Sequence, residues 1–196
     1  GLLDVSLDSN ASGARPGASS PEMDKAVELF RAALFSSTVP EDQHRYARLL
    51  LMAPPRTLNP STADRVVEVL RTANDSRNLA RGLEVVGTLT SGPKDMPVTE
   101  AKLREAHALY GQIGDRAGKT RCARAVGQLL LRSNRVAEAE IWLGEALALA
   151  RELDDWREEA ASSRELAETR LESGDAAQAR GLLEVAHRRF QQLHDE

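Results

Sequence analysis

The chain repeats itself every 40 residues, and that period limits what it can fold into. The segment "VGQLLLRSNRVAEAEIWLGEALALARELDD", from Val126, aligns without a gap on "LAETRLESGDAAQARGLLEVAHRRFQQLHD", from Leu166. The offset carries Leu131 onto Leu171, Ala139 onto Ala179, Leu143 onto Leu183 and Asp155 onto Asp195. The same register runs backwards. One column reads Ala26, Val66, Ala106, Ala146, Ala186, and another reads Phe30, Leu70, Tyr110, Ala150, Phe190. A unit this short cannot bury an apolar face by itself, so the copies must stack on one another.

Each period holds two helix patterns. Apolar residues return at three- and four-residue steps, as in Leu143, Ala146, Leu147, Ala150, Leu153. Aromatics are only 4% of the chain, and Ala, Leu, Arg and Glu, all good helix formers, dominate it. Ser20-Pro21 and Asn59-Pro60 place a capping side chain before a first-turn proline. Thr38-Val-Pro-Glu41 has capping-box spacing, and Ser173-Gly174-Asp175 offers a stop followed by a cap. The pattern predicts helices near 21–36, 40–53, 60–73, 76–90, 97–113, 116–132, 136–153, 156–172 and 176–194. Short links make sequential helices antiparallel. No segment alternates with the two-residue period of a strand. The Ser-, Gly- and Ala-rich residues before them read as a flexible lead-in, 1–20, to a helical repeat domain, 21–196.

These residues resemble the tetratricopeptide repeat, a helix pair with a small residue in the first helix and an Ala, large apolar, Ala series in the second. Gly127 matches the small position, with Ala139, Leu143 and Ala146 following; Ala167, Ala179, Leu183 and Ala186 match one period later. The period is 40 and not 34, Ala123 and Ser163 stand where the family has a large aromatic, and the closing proline is missing. Forty-residue variants with a Gly-Asp-x-Arg-like junction resemble the helical arrays of bacterial signal-transduction and transcriptional regulators. The resemblance implies an all-α, right-handed α-solenoid of about four and a half repeats. It further implies a non-catalytic scaffold that binds a protein or peptide, as the sensor or interaction segment of a larger cytoplasmic regulator.

The family's groove positions, carried onto this chain, fall on Arg81, Arg121, Arg124, Gln128, Arg132, Arg164 and Glu168, with Glu84, Thr88, Leu131, Leu171, Glu172, His44, Arg48 and Leu51 beside them. Arginine forks suit carboxylates, so the expected ligand is an acidic or C-terminal peptide. The chaperone-type carboxylate clamp has an asparagine in this groove; Gln128 and Glu168 stand in its place, so that activity does not carry over.

One stretch points elsewhere. "GDRAGKT", 114–120, ends like a phosphate-binding loop. That loop needs glycine five residues before its second glycine, where this chain has Ile113, and it should follow a strand. In register, the stretch aligns with "NDSRNLA" and "DDWREEA", neither of which has Gly-Lys-Thr. What recurs is Asp75, Asp115, Asp155 and Asp195, each placed to cap a following helix. The stretch reads as a junction between repeats and not as the site of a nucleotide-dependent enzyme.

The remaining candidates read as structural. His44, His107, His187 and His194 lack ligand spacing and read as surface histidines; no metal or cofactor is implied. Cys122, the single cysteine, reads as a small buried residue. Glu158-Glu159 and Asp154-Asp155 read as a solvated face, and Trp142 and Trp156 as core or subsurface packing. The net charge of -4 gives no reason to expect nucleic-acid or anionic-membrane binding. The basic residues are mostly arginine, 22 of the 26, a skew that fits a GC-rich genome. Neither end carries a polar cap, so the chain is expected to be a segment of a longer protein, with open ends that adjacent domains or self-association would cover.

Overall fold

In a computed structural model, the structure describes residues 20–54, 57–89 and 95–194. Among them are nine helices and no strand. They are α1 (Pro21–Ser36), α2 (Pro40–Leu50), α3 (Pro60–Thr72), α4 (Ser76–Leu89), α5 (Met96–Gln112), α6 (Arg116–Arg132), α7 (Val136–Glu152), α8 (Trp156–Glu172) and α9 (Ala176–His194). Each packs on its neighbours in the chain, giving an α-solenoid of antiparallel helix pairs. All but one of residues 1–20 lie outside the described residues, as does Asp195.

The reversals are built alike. Asn74, Gly114, Asn134, Asp154 and Gly174 take positive φ, 53°, 74°, 57°, 51° and 81°. Glycine, Asn and Asp tolerate that region best, which is why these residue types stand there. The next residue's amide reaches back to close each turn: Asp75 N to Leu70 O at 3.1 Å, Asp115 N to Tyr110 O at 2.9 Å, Asp155 N to Ala150 O at 3.0 Å. This satisfies carbonyls that a helix end leaves bare. The aspartate then caps the following helix, accepting from Asn78 N at 3.2 Å, Gly118 N at 2.8 Å, Glu158 N at 3.0 Å and Gln178 N at 3.0 Å. Ser20 and Asn59 cap α1 and α3 in the same way, accepting from Met23 N and Thr62 N. The capping box expected at Thr38 does not form. Helix α2 begins at Pro40, so Val39 is its cap residue, and Val39 has no side chain able to accept.

The inner and outer rows are decided by packing. Beyond its chain neighbours, α6 packs against both α4 and α8. The first helix of each pair therefore lies on the inside of the curve, where successive pairs come closest. Between the rows the helices cross tightly. A Cβ on Gly87 would stand 2.5 Å from Leu103 Cδ2, and one on Gly127 would stand 2.5 Å from Leu143 Cγ. Each glycine is a socket for a leucine of the second helix, repeated 40 residues on. In the next period Ala167 takes the small position, and Leu183 stands 42% exposed where Leu103 and Leu143 are buried. The column Val66, Ala106, Ala146, Ala186 is buried throughout.

The sockets can be tested against an open glycine. Gly127→Ala should destabilise the fold by about 1–3 kcal/mol through overpacking on Leu143. Gly144, with nothing within 4 Å of its would-be Cβ, should gain about 0.5–1 kcal/mol when changed to Ala. Urea unfolding of both variants measures the opposed signs.

Candidate functional site

Helix α6 carries five cations, Arg116, Lys119, Arg121, Arg124 and Arg132, and no acid. Its neighbours supply the carboxylates. Arg116 pairs with Glu152 and Lys119 with Glu145, both on α7, the latter at 2.8 Å. Arg121 Nε meets Glu84 Oε1 on α4 at 2.7 Å, and Tyr110 donates its hydroxyl to Glu84 Oε2 at 2.7 Å. Arg124 meets Glu158 Oε2 at 2.7 Å and Glu165 Oε1 at 3.2 Å, both on α8. Gln128 also donates to Glu165 Oε1. Arg132 has no ion-pair partner among the described residues.

Along the inner row lie three depressions that run into one another. The first, about 260 Å³, is formed by α2 and α4 and includes Asn78 and Arg81. The second, about 470 Å³, shares Asn78 and Arg81 and extends past Glu84 and Thr88 to Tyr110 and Arg121. The third, about 500 Å³, shares Thr88 and continues over Leu131 to α8. The result is one groove crossing α2, α4, α6 and α8.

The sequence-predicted residues distribute along it. Arg81 and Arg121 line the second depression; Gln128, Arg132, Arg164 and Glu168 line the third. Arg124 lines neither and is held by Glu158 and Glu165. Arg164 approaches Glu165 at 3.5 Å and Glu168 at 3.6 Å. Arg121, Arg124 and Arg164 thus lie in one row but are already matched to carboxylates of the protein. Burial holds the Glu165 carboxyl above the usual carboxylate range, while Arg124 and Gln128 draw it back. Its Oε2 has no hydrogen-bond partner.

Residue-by-residue reading missed Tyr110 and Glu165, placed Glu84 in the groove without its partners Arg121 and Tyr110, and misjudged Glu158-Glu159. These last two do not form a solvated face. Glu158 is held by Arg124, and Glu159, 5% exposed, takes Arg151 at 3.2 Å and Arg189 at 2.6 Å. A signal was present: the paired charges stand close to one period apart. Arg121 and Glu84 are 37 residues apart, Arg71 and Glu105 34, Lys102 and Asp64 38, and Arg124 and Glu165 41. Two histidines also differ from expectation. His44 bonds Asp75 at 2.9 Å, and His107 bonds Glu145 at 3.2 Å with its ring edge-on to Trp142; both are half-buried. Burial keeps His107 below its ordinary pKa although Glu145 pulls it upward.

The phosphate-loop lookalike is a turn and a helix start. Gly114 is the positive-φ residue and Asp115 the cap. Gly118 lies against the Tyr110 ring, 2.5 Å from a would-be Cβ. Lys119 is drawn to Glu145, and the buried Thr120 hydroxyl donates to Arg116 O at 2.8 Å. Cys122 is fully buried, and burial, then the nearby Glu84 charge, pushes its thiol well above the ordinary range. Among the described residues, no helix is long and apolar enough to cross a membrane.

No protein-family model matches this sequence, nor does any curated protein. Among solved structures the fold is similar to the crystal structure of BtubC (BKLC) from P. vanneervenii. The identity is 18% and the TM-score 0.69, over 90% of this chain and 76% of that one. At that identity the likeness shows the fold alone.

Two outcomes follow from the local geometry. Lys119→Ala should leave the melting temperature indifferent to ATP, as in the parent; a nucleotide-dependent rise that the substitution abolishes would restore the phosphate-loop reading. Cys122 should resist an aromatic disulfide reagent in the folded protein and react fully once urea unfolds it, since the thiolate is the reacting species. Rapid labelling of the native chain would contradict its burial.

Proposed function

We propose that this chain is a non-catalytic peptide-binding scaffold of the tetratricopeptide class, and that the groove along α2, α4, α6 and α8 is its binding surface. The observation that carries this reading is the continuity of the groove: three depressions share lining residues and cross four inner helices. That shape suits an extended segment laid across the pairs better than a compact molecule in one pocket. Its lining combines charged side chains with the buried Leu51 and Leu103 and the half-buried Leu131. The non-catalytic part is supported by the burial of Cys122 and by the structural use of Gly118, Lys119 and Thr120.

The 40-residue period and its Gly-Asp junctions favour a role as the sensor or interaction segment of a larger cytoplasmic bacterial regulator. The same reading extends to α9. Its Leu183 and Phe190, 42% and 38% exposed, would be covered by an adjoining repeat or a second copy. The peptide chemistry is altered from the sequence expectation. Arg121 and Arg124 hold helices together, so reversing their charge would disturb the fold as well as the groove.

Thr88 joins the second and third depressions and is exposed, so it tests the groove without unpicking an ion pair. With a peptide selected from a random display library, Thr88→Lys should weaken binding about tenfold, the equivalent of about 1.4 kcal/mol. Ala108→Lys, on the exposed side of α5, should not. Calorimetric titration decides. Equal effects of the two, or none at Thr88, would remove the groove as the site.

A further inference from the structure

The α2–α4 end of the groove differs electrically from the rest. Further along, Arg121, Arg124 and Arg164 all have carboxylates within 3.5 Å. At this end Arg45 and Arg48 on α2 and Arg81 on α4 line the first depression, are exposed, and form no ion pair among the described residues. Glu41 is the single carboxylate in that lining. Asp75 lies close by but is occupied, accepting from His44 at 2.9 Å and from Asn78 Nδ2 at 2.7 Å. Three cations therefore face one acid in a depression of about 260 Å³.

The placement is ordered. Arg45 and Arg48 stand three residues apart on one helix face. Arg81 faces them from the next inner helix across the depression. Leu49, half-buried, and Met52, 73% exposed, line the same depression and add apolar surface beside the cations. Guanidinium forks favour planar carboxylates, and an unbranched thioether accommodates varied apolar side chains. Polyphosphate ligands fit less well. The chain carries a net charge of -4, and no aromatic side chain lines the depression to stack a base.

We propose that the α2–α4 end of the groove is a subsite for an acidic peptide segment. Its carboxylates would lie on Arg45, Arg48 and Arg81, and a neighbouring apolar side chain would rest on Leu49 and Met52. This rests on the reading of the groove as a peptide site and adds which chemistry is taken at which end. It also sets a register, because at the α6–α8 end Arg124 and Arg164 are already paired, leaving Arg132 alone in that lining without an ion pair among the described residues, so that end recognises its ligand chiefly by other contacts.

The experiment uses the whole chain and fluorescein-labelled synthetic peptides that alternate Glu with Leu, or Gln with Leu, followed by fluorescence anisotropy. The Glu peptide should bind the more tightly, and its affinity should fall as salt rises. The triple variant Arg45→Glu, Arg48→Glu, Arg81→Glu should lose about tenfold or more, as several exposed charge pairs together would. Reversing Arg157, Arg180 and Arg188, exposed and outside the depression, makes the same change in net charge and should lose little. Glu41→Gln should tighten binding. Equal binding of the two peptides, unaffected by the triple variant, would overturn the acidic subsite while leaving the groove as a peptide site. Binding of neither would overturn both. Preference for a labelled single-stranded oligonucleotide that the triple variant abolishes would replace the acidic peptide with nucleic acid.

Discussion

The three-residue reversal between helices is the constraint on which the rest of the molecule depends. A single residue at positive φ turns the chain, backbone hydrogen bonds close the turn, and the next residue, an aspartate at four of the five reversals, caps the following helix. With so short a link, neighbouring helices can only run antiparallel and in contact. The described reversals at residues 114, 134, 154 and 174 fall 20 residues apart, so the backbone period is half of the chemical one. One helix is the mechanical unit, and two helices of unlike composition are the sequence unit. The junction aspartates mark alternate reversals, with Asp175 an additional cap at the last.

That alternation separates inside from outside. Helices of the first kind contribute glycine sockets, Gly87 and Gly127, and helices of the second kind contribute the leucines that fill them. The close crossing draws each pair together, and the contacts of α6 with α4 and α8 bring successive pairs together along the inner row. A groove then follows without any residue being dedicated to making one. Because inner helices approach one another, charges on them meet across a period, and α6 with its five cations is held among the carboxylates of α4, α7 and α8.

The ion pairs along the solenoid differ in how far they are shielded from water. Those around Glu165 and Glu159 are shielded, so their geometry matters more than their number; removing one partner would strand a buried charge. The outer pairs, such as Arg116 with Glu152, are more than half exposed and contribute little each. Among the described residues that line the groove, the pairing stops at Arg45, Arg48, Arg77, Arg81 and Arg132, which leaves positive charge unmatched there. On the proposed reading of the groove, the distribution of unmatched charge, rather than the number of arginines, separates a binding surface from a scaffold face.

The helices and their stops were legible in the sequence because both depend on local chemistry. Helices α1, α6, α8 and α9 begin and end where periodicity and capping residues placed them, and the junction role of "GDRAGKT" followed from its register. Thr38 misled because capping requires a position as well as a residue type, and Pro40 set the helix start one residue too late for it. The composition of the groove was legible only as a set of positions. Whether Arg124 is free or tied to Glu158 and Glu165, and whether Glu159 meets water or two arginines, depends on side chains from other helices, 8 to 41 residues away in sequence. A repeat register tells which residues share a face; only packing decides which of them touch, because contact between neighbouring helices is set by distances in space that a one-dimensional pattern does not contain.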